Sequence, residues 1–379
     1  MGNCGCSRNN LETNQAENPS QIKLSDFTKL YKIGKGCCSK IWKVKLNREY
    51  NELILNDKLL KNKSRIFAMK VCSKAKIYLK KMIQSRINYR KFLETTDYNL
   101  LIKMYYAFQD KENLYIILNY LSGGDLRYHI CRKDFFTEQE IKFVSSCIIL
   151  NLNYLYEKNI VCRDLKPENL IFDSNGYLYL SSLNIAMECK KGETITSLTG
   201  TPGYMAPETI INRPHDFCAD YFAFGVILYE LTFNERPYNG NNRKEITDQM
   251  FTKEEINLNN DDLPEDFEDY NIIDLINGLL KRKKGKRLGS KGISEIKNHP
   301  YFKNIPWEEI ENMKFKSPFI INNEDNFDKS YVEEEDSDSI YEGKKENYIN
   351  EINESLVFNN FYFNIEDKLI KEKEKQKND

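Results

Sequence analysis

No apolar run in this 379-residue chain approaches the roughly 20 residues of a membrane-spanning helix. No internal repeat is present either, so a solenoid or propeller is not expected. Net charge is nearly absent: 56 Lys and Arg against 57 Asp and Glu leave −1, and nothing global points to a nucleic-acid partner. None of the 10 Cys sits at paired spacing near a His, which excludes a zinc-finger reading. A secretory signal is missing too, so the scattered cysteines read as reduced thiols of a cytosolic protein. Two local absences matter more. Residues 71–93 contain no Asp or Glu, and no Asp occurs between Asn175 and Glu208.

What is present suffices for a sizeable core, with 40% hydrophobic and 12% aromatic residues. The chain begins MGNCGCSRNN, too polar for a signal peptide. Gly2 after Met1 fits an N-myristoylation start, and Cys4 and Cys6 are candidates for palmitoylation, although Cys6 holds the usual Ser/Thr position. One acyl chain anchors weakly and two hold stably. The expected address is therefore the cytoplasmic face of a membrane, reached through a disordered leader over 1–24.

Apolar and polar residues alternate over 27–47 around a glycine pair, as in two strands joined by a turn. A polar stretch, 48–64, reads as an insert. Strands are expected over 65–74 and 113–121, with a basic helix over 75–94 between them. From Thr137 to about Ser317 apolar residues recur at helical spacing. A strand-rich part followed by a helical part implies two lobes.

Chemistry gathers at a few points. Gly34 and Gly36 can let a loop approach phosphates with backbone N–H groups, and Lys70 at the end of FAMK can reach their charge. In VCRDLKPENLIF, Asp164 can accept a hydroxyl proton. Lys166 can neutralise a moving phosphoryl group, and Asn169 can supply an oxygen to a metal. GTPGYMAPE (200–208), Asp220 in DYFAFG and Arg287 in KRLGS follow in order.

With these motifs the chain resembles the eukaryotic protein kinases over 27–302. The segments RLGSKGISEIKNHPYFKNIPWEEI, SPFI, NFDKSY and FNNFYF resemble the AGC group, relatives of the cAMP-dependent kinase. The resemblance implies an α+β bilobal fold, with an N-lobe over 27–121, a C-lobe over 122–302 and a tail over 303–379 that carries a hydrophobic motif at 358–363. It implies ATP as the ligand, with Ile41, Ala68 and Ile171 around the adenine and Leu118 behind it. Phe327 would lie near that pocket, and Phe358 and Phe361 would plug a groove beside the regulatory helix. Arg163 would bind a phosphate on Ser197, and Glu208 would pair with Arg287. Glu168 and Glu230 match positions that favour basic residues before the phosphorylated Ser or Thr of a protein substrate.

Departures from the family pattern cluster at one site. Ser182 stands where the magnesium-binding Asp belongs, and a neutral hydroxyl is a weak ligand. The position of the helix Glu that pairs with Lys70 holds Tyr89, so Lys70 is expected to be unpaired. Ser39 replaces the third loop glycine, and Cys162 replaces the usual His or Tyr before Arg163. Asn169 is left as the metal ligand, and the claim on Mg2+ weakens. Two readings stay open. One is a membrane-tethered, ATP-binding pseudokinase that works as a scaffold or allosteric partner. The alternative is an active serine/threonine kinase with unusual metal binding that uses Asp164 as base. A purely structural membrane protein would have no use for Gly34, Lys70, Asp164 and Asn169 together.

Overall fold

The computed structural model describes residues 21–49, 65–321, 326–327 and 342–378. The acylation candidates Gly2, Cys4 and Cys6 and nearly all of the 48–64 insert lie outside the described residues. Within them the expected order appears, a strand-rich lobe and then a helical one.

Strands β1 (Phe27–Gly36) and β2 (Ser39–Leu46) pair antiparallel through the tight turn at Cys37 and Cys38. Next come β3 (Ile66–Ser73), β4 (Met104–Gln109) and β5 (Asn113–Asn119), in the sheet order β1-β2-β3-β5-β4. The inner strands β3 and β5 are mostly apolar and buried over their middles, with Lys70 the buried charge on β3. The basic helix expected over 75–94 is two helices, α1 (Lys74–Leu79) and α2 (Ile83–Thr95). Lys81 takes a left-handed φ of 54° at the break, with no Gly or Pro to announce it. Ser73 caps α1 by accepting from the Lys76 amide.

The second lobe opens with α3 (Leu126–Ile130) and α4 (Glu138–Glu157), the latter started by a Thr137–Glu140 capping box. Four short strands follow: β6 (Ile160–Val161), β7 (Leu170–Phe172), β8 (Leu178–Leu180) and β9 (Met187–Glu188). A mainly helical reading missed them because two or three residues show no period. After the four-residue α5 (Pro207–Ile210) comes α6 (Cys218–Phe233), buried on nearly every side. Arg287, fully buried, donates to both carboxylate oxygens of Glu208, at 2.6 and 2.9 Å, and to the Cys218 carbonyl. This braces the lobe where the expected pair was placed.

The tail returns to the first lobe. Asn326 donates to the Ser122 carbonyl, and the Phe327 ring stacks on Tyr31 of β1 at 5.5 Å. Phe358 and Phe361 are buried, and the Arg90 guanidinium of α2 donates to the carbonyls of Phe361 and Tyr362. Beyond the sequence reading, Phe363–Asn364 forms a further strand, β10, on the free edge of β4. The next helix, Ile365–Asn378, begins with Glu366, a buried carboxylate that accepts from Arg48 at 2.6 Å and from the Tyr106 hydroxyl at 2.9 Å.

Replacing that carboxylate leaves Tyr106 and Arg48 without their acceptor. Glu366→Ala should lower the unfolding free energy by about 2 kcal/mol in a denaturant titration. A loss under about 0.5 kcal/mol would mean that β10 and its helix are held by strand pairing and apolar contacts without help from this carboxylate.

Candidate functional site

The loop between β6 and β7 carries the polar residues. Buried Asp220 of α6 accepts the amides of Cys162 and Arg163 at 2.7 and 2.8 Å, and Arg163 is thereby held at a left-handed φ of 68°. Burial pushes the Asp220 carboxyl up to about 6, against the pull of those amides. Next in the loop, Asp164 accepts from the Thr201 hydroxyl at 2.7 Å, and that hydroxyl accepts from Lys166 Nζ at 2.8 Å. Asn169 Nδ2 donates to the backbone and side chain of Asp164. Arg163 Nη2 donates to Ser197 Oγ at 2.7 Å. The structure thus joins Asp164, Lys166 and Asn169, and it sets Arg163 against Ser197.

The apolar pocket residues come from facing elements. Gly34 pairs with Ile41 across β1–β2, and Ala68 with Leu118 across β3–β5. Ile171 sits on β7, bridged to Asp125 where the second lobe begins. A side chain on Gly36 would press against Ser39 Oγ, so the turn is tight as well as bare.

On the metal side the sequence reading needs correction. Lys70 is not unpaired. Its ammonium donates to Asn184 Oδ1 at 2.6 Å and lies over the Tyr89 ring, 4.8 Å from the centroid. Both partners are neutral. Burial pushes Lys70 down to about 8, and the neighbouring Arg86 charge adds to the shift. Arg86, only 2% exposed, donates Nη1 to the same Asn184 oxygen at 2.5 Å, and its Nε has no partner among the described residues. Asn184 Nδ2 in turn donates to Ser182 Oγ at 2.6 Å. Two buried cations therefore share one amide oxygen where the family pattern would place two carboxylates.

Sequence reasoning missed Arg86, the partner role of Asn184 and the Tyr89 ring. The acid-free run 71–93 was the available signal, since a cation there can have no local counter-charge. Arg127 on α3 was missed as well. It donates Nε to Glu168 at 3.0 Å and Nη1 to Glu230 at 2.8 Å, so the two acids read as substrate contacts already hold an internal cation.

The turn of the glycine loop holds a further reactive group. Exposed Cys37 lies 3.6 Å, sulfur to sulfur, from buried Cys38. The thiol contact with Cys38 holds the Cys37 thiol down to about 5, with Lys80, Arg86 and Lys70 adding their charges against the cost of burial. The same contact and its own burial push Cys38 far up.

Residues 55–302 match the family model described as the protein kinase domain. The chain is 33% identical to the serine/threonine-protein kinase sgk-1 of Caenorhabditis elegans, over 86% of this chain and 67% of that protein. It is 32% identical to serine/threonine-protein kinase Sgk1 of Xenopus tropicalis, over 86% and 74%. With serine/threonine-protein kinase AtPK2/AtPK19 of Arabidopsis thaliana the identity is 31%, over 82% and 62%.

Iodoacetamide at about pH 7 should alkylate Cys37 and spare Cys38, as fragment mass spectra would read. The rate should stay level with falling pH until near 5 and then drop as the thiolate is protonated. Cys38→Ala should restore the behaviour of an ordinary thiol of about pKa 8.5, a tenfold loss per pH unit over the whole range below about 8. A wild-type rate that already falls in that way would remove the thiolate assignment.

Proposed function

We propose, for a chain that belongs to the protein kinase family and within it to the AGC group of serine/threonine kinases, a protein that binds ATP between its lobes and transfers phosphate poorly. It acts mainly by contact with protein partners, held at the cytoplasmic face of a membrane through Gly2, Cys4 and Cys6.

One observation carries the reading: Lys70 and Arg86 share the neutral Asn184 oxygen, with Ser182 and Tyr89 in place of two acids. ATP suits the residues present. Gly34 and Gly36 leave the loop backbone open to phosphates, Ile41, Ala68, Leu118 and Ile171 offer an apolar slot, and the two cations await negative charge. The nucleotide supplies the phosphoryl group, and Asp164 and Lys166 are placed to meet a hydroxyl and a developing charge.

Magnesium suits them less well. Asp164 and Asn169 remain as oxygen donors, but Ser182 is neutral and two buried cations repel a divalent ion nearby. Bare phosphates fit that field better. Loss of one preorganised electrostatic group typically costs about 3–4 kcal/mol, or 10²–10³ in rate. Losses that act on the same phosphates need not add.

The ordered Asp164–Thr201–Lys166 chain favours a second reading, a slow serine/threonine kinase whose metal rests on Asn169. Under either reading the partners are proteins.

Thermal shift on purified full chain separates these. ATP with EDTA should raise the melting temperature as much as ATP with Mg2+, because only the folded state binds it. Arg86→Gln should remove most of the metal-free shift. Ser182→Asp should make binding magnesium-dependent and raise peptide phosphorylation at least about a hundredfold. A strict magnesium requirement in the wild type would support the slow kinase, and no shift in any condition would end the nucleotide reading.

A further inference from the structure

Arg127 reaches three walls of the cleft beside Asp164. Its guanidinium meets Glu168 in the polar loop, Tyr204 in the GTPGYMAPE segment, and both carboxylate oxygens of Glu230 on α6, at 2.8 and 3.1 Å. The Tyr204 hydroxyl also donates to Glu230, at 2.7 Å. Position follows from local structure: Asp125 caps α3 by accepting the Tyr128 amide, which sets Arg127 in the first turn of that helix. Burial works against the guanidinium charge, and the hydrogen bond and charge of Glu230, with Tyr204 and Glu168, more than restore it.

Glu230 exposes only 6% of its side chain. A carboxylate so buried is costly unless a cation pairs with it, and the two-pronged guanidinium contact is the strong form of that pair. A basic residue arriving on another chain would first have to break it. That cost acts against positive charge at the subsite.

We infer that Arg127 fills the acidic subsite of the cleft from within, so that this chain receives polypeptide segments without a basic residue at that subsite. This rests on the reading of the cleft as a place for protein segments. It departs from the basic preference that Glu168 and Glu230 alone would suggest. Arg127 is the residue that sets the specificity, and the partner presents an uncharged or acidic flank there.

Two labelled serine peptides test it by fluorescence anisotropy on the full chain. One carries arginines on the N-terminal side of the serine, and its twin has alanines there. The wild type should bind the two within about twofold of each other. Arg127→Ala should favour the arginine peptide by at least about tenfold, the size of one charged hydrogen bond. Arg127→Ala with Glu230→Gln should cancel the gain. Arg127→Gln, which keeps a donor for Glu230 but drops the charge, stands in if the alanine variant does not fold. A wild type that already favours the arginine peptide tenfold, or an Arg127 variant that folds and shows no gain, overturns the inference. The ATP thermal shift of the same samples reports on the nucleotide reading separately: an intact shift without peptide gain sinks only this inference, and peptide gain without a shift sinks only that reading.

Discussion

Two positive side chains without an acid between them set the character of the interlobe cleft. Lys70 and Arg86 are both buried and both donate to the amide oxygen of Asn184. An amide oxygen can satisfy hydrogen-bond geometry but cannot neutralise two charges. The Tyr89 ring gives Lys70 a negative face to rest on, and burial still drives its ammonium down to about 8. That field reaches the Cys37 thiol across the glycine loop and adds to its contact with Cys38. Such a field favours an anion beside Lys70 and Arg86.

The other half of the cleft follows the family pattern closely. Asp220 holds two consecutive amides and so imposes the left-handed turn at Arg163, which aims Asp164 and Lys166 at Thr201. Two lobes thus contribute unequally. The floor joins Asp164, Thr201 and Lys166 in one hydrogen-bonded chain, while the roof sets Lys70 and Arg86 on a neutral amide oxygen. Arg127 extends the same theme, since a charge that substrate would supply is built into the chain.

Stability of the roof depends on the tail. Arg90 of α2 grips two tail carbonyls, β10 closes the edge of β4, and Glu366 joins Arg48 to Tyr106. The helix that carries Arg86 and Tyr89 is therefore fastened from outside, four residues along from Arg86, whose Nε has no partner among the described residues.

Much of this was legible in the residues. Alternation located the sheet, ordered motifs located Asp164, Lys166 and Asn169, and the acid-free run 71–93 announced that Lys70 would lack its family carboxylate. Missing acids are visible in a string of letters because a residue type cannot hide. What replaces them is not visible. Asn184, Arg86 and Tyr89 lie far apart along the chain or on one unremarkable basic helix, and their meeting depends on the helix break at Lys81, which no Gly or Pro marks. Likewise Glu168 and Glu230 read as open acids until α3 folds Arg127 between them. By itself the sequence determined the fold, the lobes and the absence of any Asp between Asn175 and Glu208, since these rest on periodicity and residue identity. Only the tertiary structure decided which neutral oxygen the two cations share and which cation the two acids hold, because hydrogen-bond partners are chosen by proximity in space.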